Sequence, residues 1–270
     1  VSVYLIAELG STHDGSLGNC LKLIELCAQA GVDAVKLQDH RGERLKGDPP
    51  WFKGHEPRAA YLQRTSFDEN GWRRIRATAT ACGADLVVSP FSVEAVQRLA
   101  ALPVDGFKIA SGQVTNLAML REIRATRIRS FMSTGMTTDA ENEAAWVALG
   151  GDAGDRNVTA LHCTSEYPCP PERVGLNYCV EGSGFSDHTM GFAATLAAVD
   201  RGCTVIERHV TFHRGMYGTD AAHSLTIGEL RHLVREVRDL ERMLASPVDK
   251  EELAKTEKMR AMREAFLEPS

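Results

Sequence analysis

Lys36 and Gln38 stand two residues apart in the otherwise apolar run Ala34-Val35-Lys36-Leu37-Gln38, and Glu207 and His209 repeat the spacing in Val205-Ile206-Glu207-Arg208-His209. Such spacing puts both members of a pair on one face of a β-strand. Two further runs end in the same way, Val3-Tyr4-Leu5-Ile6-Ala7-Glu8 and Gly106-Phe107-Lys108-Ile109-Ala110-Ser111. A lysine is almost never buried without a partner. Lys36 and Lys108 therefore read as ion pairs with Glu8 or Glu207, or as two ammonium groups that hold a carboxylate or a phosphate. Ser89, Ser111, Ser133 and Ser186 also close strand-like runs and can donate hydrogen bonds to an anion. So many donors ending at one face favour the anion site.

His188 follows Gly184-Phe185-Ser186-Asp187, and His209 closes the last strand-like run. If those two runs are neighbours, the imidazoles converge. Imidazole suits transition metals and serves Mn²⁺ where carboxylate or water completes the shell. On spacing alone the commoner alternative stands, a hydrogen-bonded structural histidine. His13, His162, His213 and His223 read as structural or substrate-facing, and His40, His55 and His232 as loop or surface residues.

Strand-like runs at 2–9, 34–39, 84–90, 106–111, 129–134, 158–163, 182–187 and 205–211 must position these side chains. Helical patterns lie between most of them. Ser16 to Ala30 carries Leu17, Leu21, Ile24 and Ala28 on one face and stops at Gly31. Phe67–Cys82, Ser92–Leu102, Asn116–Thr126, Thr138–Leu149 and Met190–Gly202 follow the same logic. Eight strands alternating with helices predict an α/β fold, a (β/α)8 TIM barrel, with its active site at the C-terminal strand ends. Residues 40–66 read as a long polar loop of the kind that forms lids, with Pro49-Pro50, Trp51, Arg41, Arg44, Lys46, Lys53 and Arg58. Residues 170–184 are irregular, and 212–224 are rich in Gly and His.

The chain has 270 residues, 43% of them hydrophobic, which suits one large barrel, and its net charge of −5 argues against nucleic acid as a partner. No apolar stretch is long enough to span a bilayer, and none reads as a signal peptide. Seven cysteines without a C-x-x-C argue against a disulfide scaffold or a structural zinc site and for a cytoplasmic setting. Cys163 and Cys169 keep a nucleophilic role open. Neither G-x-x-x-x-G-K-[ST] nor G-x-G-x-x-G occurs, so no nucleotide cofactor is implied. The charge run from Asp249 to Arg263 alternates in sign and reads as a solvated helix face.

A series of motifs runs in one order: Ala7-Glu8-Leu9-Gly10, Val35-Lys36-Leu37-Gln38, Ser89-Pro90-Phe91, Phe107-Lys108-Ile109-Ala110-Ser111-Gly112, Ser133-Thr134-Gly135-Met136, Leu161-His162-Cys163-Thr164-Ser165 with Tyr167-Pro168, Ser186-Asp187-His188-Thr189 and Glu207-Arg208-His209. From residue 3 to about 265 the chain closely resembles the sialic acid synthase family, which includes neuraminic, pseudaminic and legionaminic acid synthases. The resemblance implies condensation of phosphoenolpyruvate with an aldose-type aldehyde, giving a 2-keto-3-deoxy sugar acid and phosphate, with a divalent metal, Mn²⁺ or Mg²⁺. It makes His188 and His209 the metal ligands. Lys36, Gln38, Ser89, Lys108, Ser111, Ser133, Ser165 and Ser186 become the phosphoenolpyruvate pocket, and Glu8, Tyr167 and Asp220 lie around the acceptor. Glu8 and Glu207 are the candidates to move a proton, with orientation of a neighbour the other role for Glu207.

Three departures stand out. Gln113 occupies a position where the family has Glu or Asp after Ser-Gly, which implies altered acceptor recognition. The family's Gly-Pro-Asp-His-Ala-Ala-Ser is represented by Gly218-Thr219-Asp220-Ala221-Ala222-His223-Ser224. The chain also stops about where a C-terminal antifreeze-like domain would be joined, so a single barrel domain over 1–270 is expected. In relatives that domain comes from a partner subunit, which leaves a homodimer open. The rival class is a catalytically silent barrel acting as a binding or assembly partner. The joint presence of His188, His209, Lys36 and Lys108 favours the enzyme.

Overall fold

The computed structural model describes residues 2–41, 47–48, 52, 56–151 and 157–266. Of the expected lid residues, Arg44, Lys46, Pro49, Pro50, Trp51 and Lys53 lie outside the described residues, as does His55.

Eight strands form the wall: β1 (Tyr4–Gly10), β2 (Ala34–Asp39), β3 (Asp85–Pro90), β4 (Gly106–Ile109), β5 (Ser130–Ser133), β6 (Val158–His162), β7 (Gly184–Asp187) and β8 (Val205–Thr211). All pair in parallel in chain order, and β1 pairs with β8 to close the ring. The TIM barrel expected from the alternation is therefore the fold. Helices between the strands are α1 (Leu17–Ala30), α2 (Arg58–Thr65), α3 (Glu69–Ala81), α4 (Val93–Ala100), α5 (Leu117–Thr126), α6 (Asp139–Leu149) and α7 (Ala193–Asp200). A two-residue β9 (Leu225–Thr226) pairs outside β8, and α8 (Ile227–Ala245), α9 (Lys250–Ala254) and α10 (Glu257–Glu264) follow.

The two-residue period sorts the strand side chains. Leu5, Ala7, Leu9, Val35, Leu37, Leu86, Val88, Phe107, Ile109, Met132, Ile206 and Val210 point outward into the core shared with the helices. The opposite parity fills the barrel. Ile6, Ala34, Val87, Phe131, Leu161 and Val205 form an apolar layer with Tyr4 beside it. One step further along the same parity come Glu8, Lys36, Ser89, Lys108, Ser133, Ser186 and Glu207. The apolar layer plugs the barrel, so the polar layer above it opens only toward the C-terminal ends.

Local signals set the helix ends. The Ser16 side chain accepts from Asn19 N–H at the start of α1, and Gly31 ends it at φ 93°. Thr138 with Glu141 and Thr226 with Glu229 form capping boxes on α6 and α8. Two elements depart from expectation. The 40–66 stretch contains the helix α2, which buries Tyr61, Leu62 and Thr65. The last long helix, α8, buries Ile227, Leu230, Leu233, Val234 and Val237 against the barrel. α9 and α10 bury no side chain, as a solvated helix face requires.

Candidate active site

A cavity of about 840 Å³ opens at the C-terminal strand ends. It brings together the fifteen site residues picked out from the sequence: Glu8, Lys36, Gln38, Ser89, Lys108, Ser111, Gln113, Ser133, Ser165, Tyr167, Ser186, His188, Glu207, His209 and, at the mouth, Asp220.

The floor is a cluster of buried charges. Lys36 Nζ lies 2.9 Å from Glu8 Oε1, 3.2 Å from Ser89 Oγ and 3.6 Å from Glu207 Oε2. Lys36 thus has the carboxylate partners of the ion-pair reading, and it also faces the cavity. Lys108 differs. Its ammonium is 3% exposed and donates to Ser133 Oγ at 2.7 Å and Ile109 O at 3.3 Å, while Glu207 Oε1 is 3.7 Å away. Burial pushes the Lys108 pKa down, against the pull of Glu207, whereas Glu207 and Glu8 outweigh burial at Lys36 and raise it. Burial also opposes the charge on Glu207, but Lys108 and Lys36, helped by a 2.7 Å hydrogen bond from Ser186, hold its carboxyl at about 2. Ser89 and Ser133 accept from the lysines, so their own protons are left to point at a ligand.

A hydrogen-bonded chain climbs from this floor. Gln38 Nε2 donates to Glu8 Oε1 at 2.6 Å, and Gln38 Oε1 faces His40 Nε2 at 2.8 Å. Because the amide nitrogen is committed to Glu8, His40 must be the donor. His40 also stacks on Phe91 at 4.0 Å; it is a loop residue just past the end of β2, as expected, and its ring lines the cavity. The signal was present, since position 40 continues the parity of Lys36 and Gln38.

At the other side of the ring, His188 Nδ1 lies 2.7 Å from Thr164 O. A carbonyl only accepts, so Nδ1 carries the proton. Burial, then the neighbouring His209, lower the His188 pKa to about 3, leaving the ring neutral and Nε2 with a lone pair. The Ser186 proton goes to Glu207, so it does not satisfy Nε2. The two imidazole centroids are 5.8 Å apart, and Tyr167 covers His188 at 4.1 Å. His209 Nδ1 is buried without a hydrogen-bond partner among the described residues. Two imidazoles, each with a ring nitrogen that no hydrogen-bond donor among the described residues satisfies, fit a divalent metal. No cluster of three or more His, Cys, Asp or Glu ligands occurs among the described residues, so substrate oxygens or water would have to complete the shell.

The neighbours of these histidines hold them in place. Asp187 and Arg208 point out of the barrel and form a buried ion pair. Arg208 also donates to Thr189 O at 2.7 Å and Gly191 O at 2.8 Å, tying the His188 loop to the strand that carries His209.

The remaining predicted residues sit around the mouth. Asp220 Oδ2 accepts from Ser11 N and Ser11 Oγ, each at 2.9 Å, and Tyr61 Oη donates to Ser11 Oγ at 2.8 Å. Ser111 and Ser165 hydroxyls are 3.0 Å apart. Gly135 lets the ends of β5 and β6 approach, because a Cβ there would lie 2.5 Å from Cys163 Sγ and 2.8 Å from Cys163 O. Ser11, Phe91, Phe52, Tyr61 and Met136 also line the cavity and were not picked out from the sequence. His162 Nε2 bonds Val174 O at 2.7 Å and is structural, and His13 packs at a tilt against Phe67. Cys163 reaches the wall, while Cys169 does not line it.

The family model described as NeuB family matches residues 23–249. The chain belongs to the NeuB family. It is 32% identical to the N,N'-diacetyllegionaminic acid synthase of Campylobacter jejuni over 97% of this chain and 84% of that protein. It is 30% identical to human N-acetylneuraminate-9-phosphate synthase over 90% of this chain and 72% of that protein. Among solved structures, the N-acetylneuraminic acid synthetase of Leptospira borgpetersenii in complex with citrate superposes with a TM-score of 0.81, at 25% identity, covering 97% of this chain and 93% of that one. The expectation of a synthase-type enzyme is met at the level of this family, and the NeuB match and the barrel agree. No described helix is long and apolar enough to cross a membrane.

Proposed function

We propose that this NeuB-family barrel condenses phosphoenolpyruvate with an open-chain aldose and water, releasing phosphate and giving a 2-keto-3-deoxy sugar acid, with a divalent metal held by His188 and His209. The observation that carries the reading is Lys108. It is a buried ammonium at the cavity floor whose nearest carboxylate lies at 3.7 Å, beyond hydrogen-bond distance. Such a group is costly without an anion. Phosphoenolpyruvate supplies one.

Lys108 and Lys36 bind the anionic groups, and Ser89, Ser133, Ser111 and Ser165 add hydroxyl donors. Because these donors are fixed by strands, they need no reorganisation as charge develops. Tyr167 and Asp220, with Gln113, line the acceptor end. The metal, Mn²⁺ or Mg²⁺, would supply Lewis-acid polarisation of the aldehyde oxygen. C3 of phosphoenolpyruvate forms the new bond to the aldehyde carbon as the carbonyl π pair moves to the aldehyde oxygen, which takes up a proton to become a hydroxyl, and C2 becomes electron-poor. Water adds at C2 and loses a proton. The C2–O bond to phosphorus then breaks as the keto group forms, and phosphate leaves. Glu8 takes the proton, since its Oε2 is buried and accepts no hydrogen bond among the described residues. Glu207, whose carboxyl Lys108 and Lys36 hold at about 2, serves to balance the lysines.

The test is phosphate release from phosphoenolpyruvate and Mn²⁺ with a panel of aldoses. The expected product has the mass of acceptor plus phosphoenolpyruvate plus water minus phosphate. No release with any aldose overturns the reading.

A further inference from the structure

Two cysteines that the proposed chemistry does not use lie together at the base of the barrel. Cys179 follows the short turn Leu176–Tyr178 on the way into β7, and Cys203 stands just before β8. Both strands run from there up to the cavity, so the pair sits at the N-terminal strand ends, opposite the mouth. Backbone hydrogen bonds on either side of Cys203 hold the two approaches together. Gly182 N donates to Gly202 O at 3.0 Å, and Thr204 N donates to Ser183 O at 2.8 Å. Cys179 and Cys203 are free thiols, each 2% exposed, and they are in hydrogen-bond contact with each other.

The surroundings make the two thiols unequal. The hydrogen bond from Cys179, helped by Ser183 and opposed by burial, brings the Cys203 pKa down to about 7, and the same contact pushes Cys179 up. Ser183 Oγ lies 2.7 Å from Val180 O and 3.4 Å from Cys203 Sγ, so its proton can turn from the carbonyl to a thiolate. Cys203 is thus the attacking thiol, with a resolving thiol already beside it. The cover over the pair is a single turn of chain. Tyr178 is 65% exposed and Val180 57%, and a Cβ at Gly182 would meet nothing within 4 Å.

We propose that Cys179 and Cys203 are a redox dithiol that closes to a reversible disulfide, fastening the approach to β7 onto the start of β8. The inference does not depend on the synthase reading. The oxidant is a small disulfide of the glutathione class. The Cys203 thiolate attacks one of its sulfurs, the S–S bond breaks, and the first small thiolate leaves. Cys179 then gives up its proton, its sulfur attacks Cys203 Sγ, and the second small thiolate is displaced. Two protein thiols are oxidised to one disulfide, the small disulfide is reduced to two thiols, and the two protons end on those thiols. The closed loop contains β7, His188 and α7. Closing it restricts the unfolded chain, so the oxidised form withstands heat better.

The test treats the protein with oxidised glutathione, digests it without reduction and reads the peptides by mass spectrometry. The Cys179 and Cys203 peptides should appear joined, lighter by two hydrogens than their sum, and dithiothreitol should separate them. The thermal midpoint of the oxidised parent should lie about 5–10 °C above that of the reduced parent. Cys179→Ser keeps a hydroxyl donor toward Cys203 but blocks the second step, so a glutathione adduct should build up on Cys203. Cys203→Ser should leave Cys179 without an adduct. Cys82→Ser removes the exposed cysteine and should close the link as the parent does. No joined peptide in the parent overturns the proposal. So does a joined parent whose midpoint is unchanged or lower, or an adduct that forms on Cys179 rather than Cys203. The parent measurements decide even where a variant fails to fold.

Discussion

Lys108 and Lys36 sit at the same depth of the barrel, yet their surroundings make them unequal. Lys36 has Glu8 at 2.9 Å, while Lys108 leans on a hydroxyl and a carbonyl. The anion should therefore depend more on Lys108. Lys108→Met is expected to weaken phosphoenolpyruvate binding on the order of a hundredfold, from the roughly 2–5 kcal/mol that a buried charge pair is worth when one partner is removed. Isothermal titration reads this directly, and affinity within a few-fold of the parent would place the anion elsewhere. The imidazoles make a second, separate case. His188→Ala and His209→Ala should each lower Mn²⁺ affinity by more than the roughly 10–100-fold that loss of an outer partner costs a metal site. Free Mn²⁺ followed by paramagnetic resonance measures it without turnover. Equal titration curves in the parent and both variants would remove the histidines from the metal site.

The strand is the element that made this site readable. A period of two carries Glu8, Lys36, Lys108, Ser133, Ser186 and Glu207 to one interior layer, and the same period carries the apolar residues to the helices. Polar residues in apolar runs therefore marked both the fold and the cavity floor. The mouth was less legible, because its residues follow the strands, where the period lapses and tertiary contacts decide. Ser11 shows this. It is placed by Asp220 and Tyr61, from opposite ends of the chain and a helix within an expected loop. Gly10 is what allows the turn. Its φ is 51°, and a Cβ there would lie 2.4 Å from Asp220 Oδ2. Gly10→Ala should displace Asp220 from Ser11 and cost roughly 1–2 kcal/mol of backbone strain, with about 2–4 °C of melting temperature lost per kcal/mol for a chain of this size. Scanning calorimetry checks the expectation, and an unchanged midpoint would show that the end of β1 relaxes freely.

At the scale of the whole molecule, α2 is the clearest case of structure that composition hides. It has eight residues in a polar stretch after Pro57, too few to form alone, and its position comes from contacts across the barrel mouth. Arg64 reaches Asp14 Oδ1 at 2.9 Å and Glu56 Oε1 at 2.7 Å, and Tyr61 reaches Ser11, so the helix is clamped onto the end of β1. His13 lies in that same segment after β1. Its ring packs at a tilt against Phe67 at 4.7 Å, its Nδ1 accepts from Gly15 N at 3.1 Å, and it is 3% exposed. Burial lowers its pKa from 6.5 to about 4, even against the nearby Asp220 and Asp14. A depressed histidine pKa means that the unfolded chain takes up the proton first. Above pH 6.5 both states are neutral and the residue adds no pH dependence. Between 6.5 and about 4 only the unfolded chain protonates, so stability falls with pH, by roughly 3 kcal/mol across the window. Glu207 has the carboxylate form of the same behaviour lower down, its stabilisation being present above 4.5 and lost as pH falls toward about 2. His188, lowered to about 3, loses stability over the same window and below it, so acid unfolding should begin near pH 6.5, well above the range of the site carboxylates. His13→Asn retains an acceptor for Gly15 N–H and removes the titrating ring. Thermal midpoints measured between pH 7.5 and 4.5 should fall less steeply in this variant than in the parent, and parallel curves would show that His13 does not govern the onset.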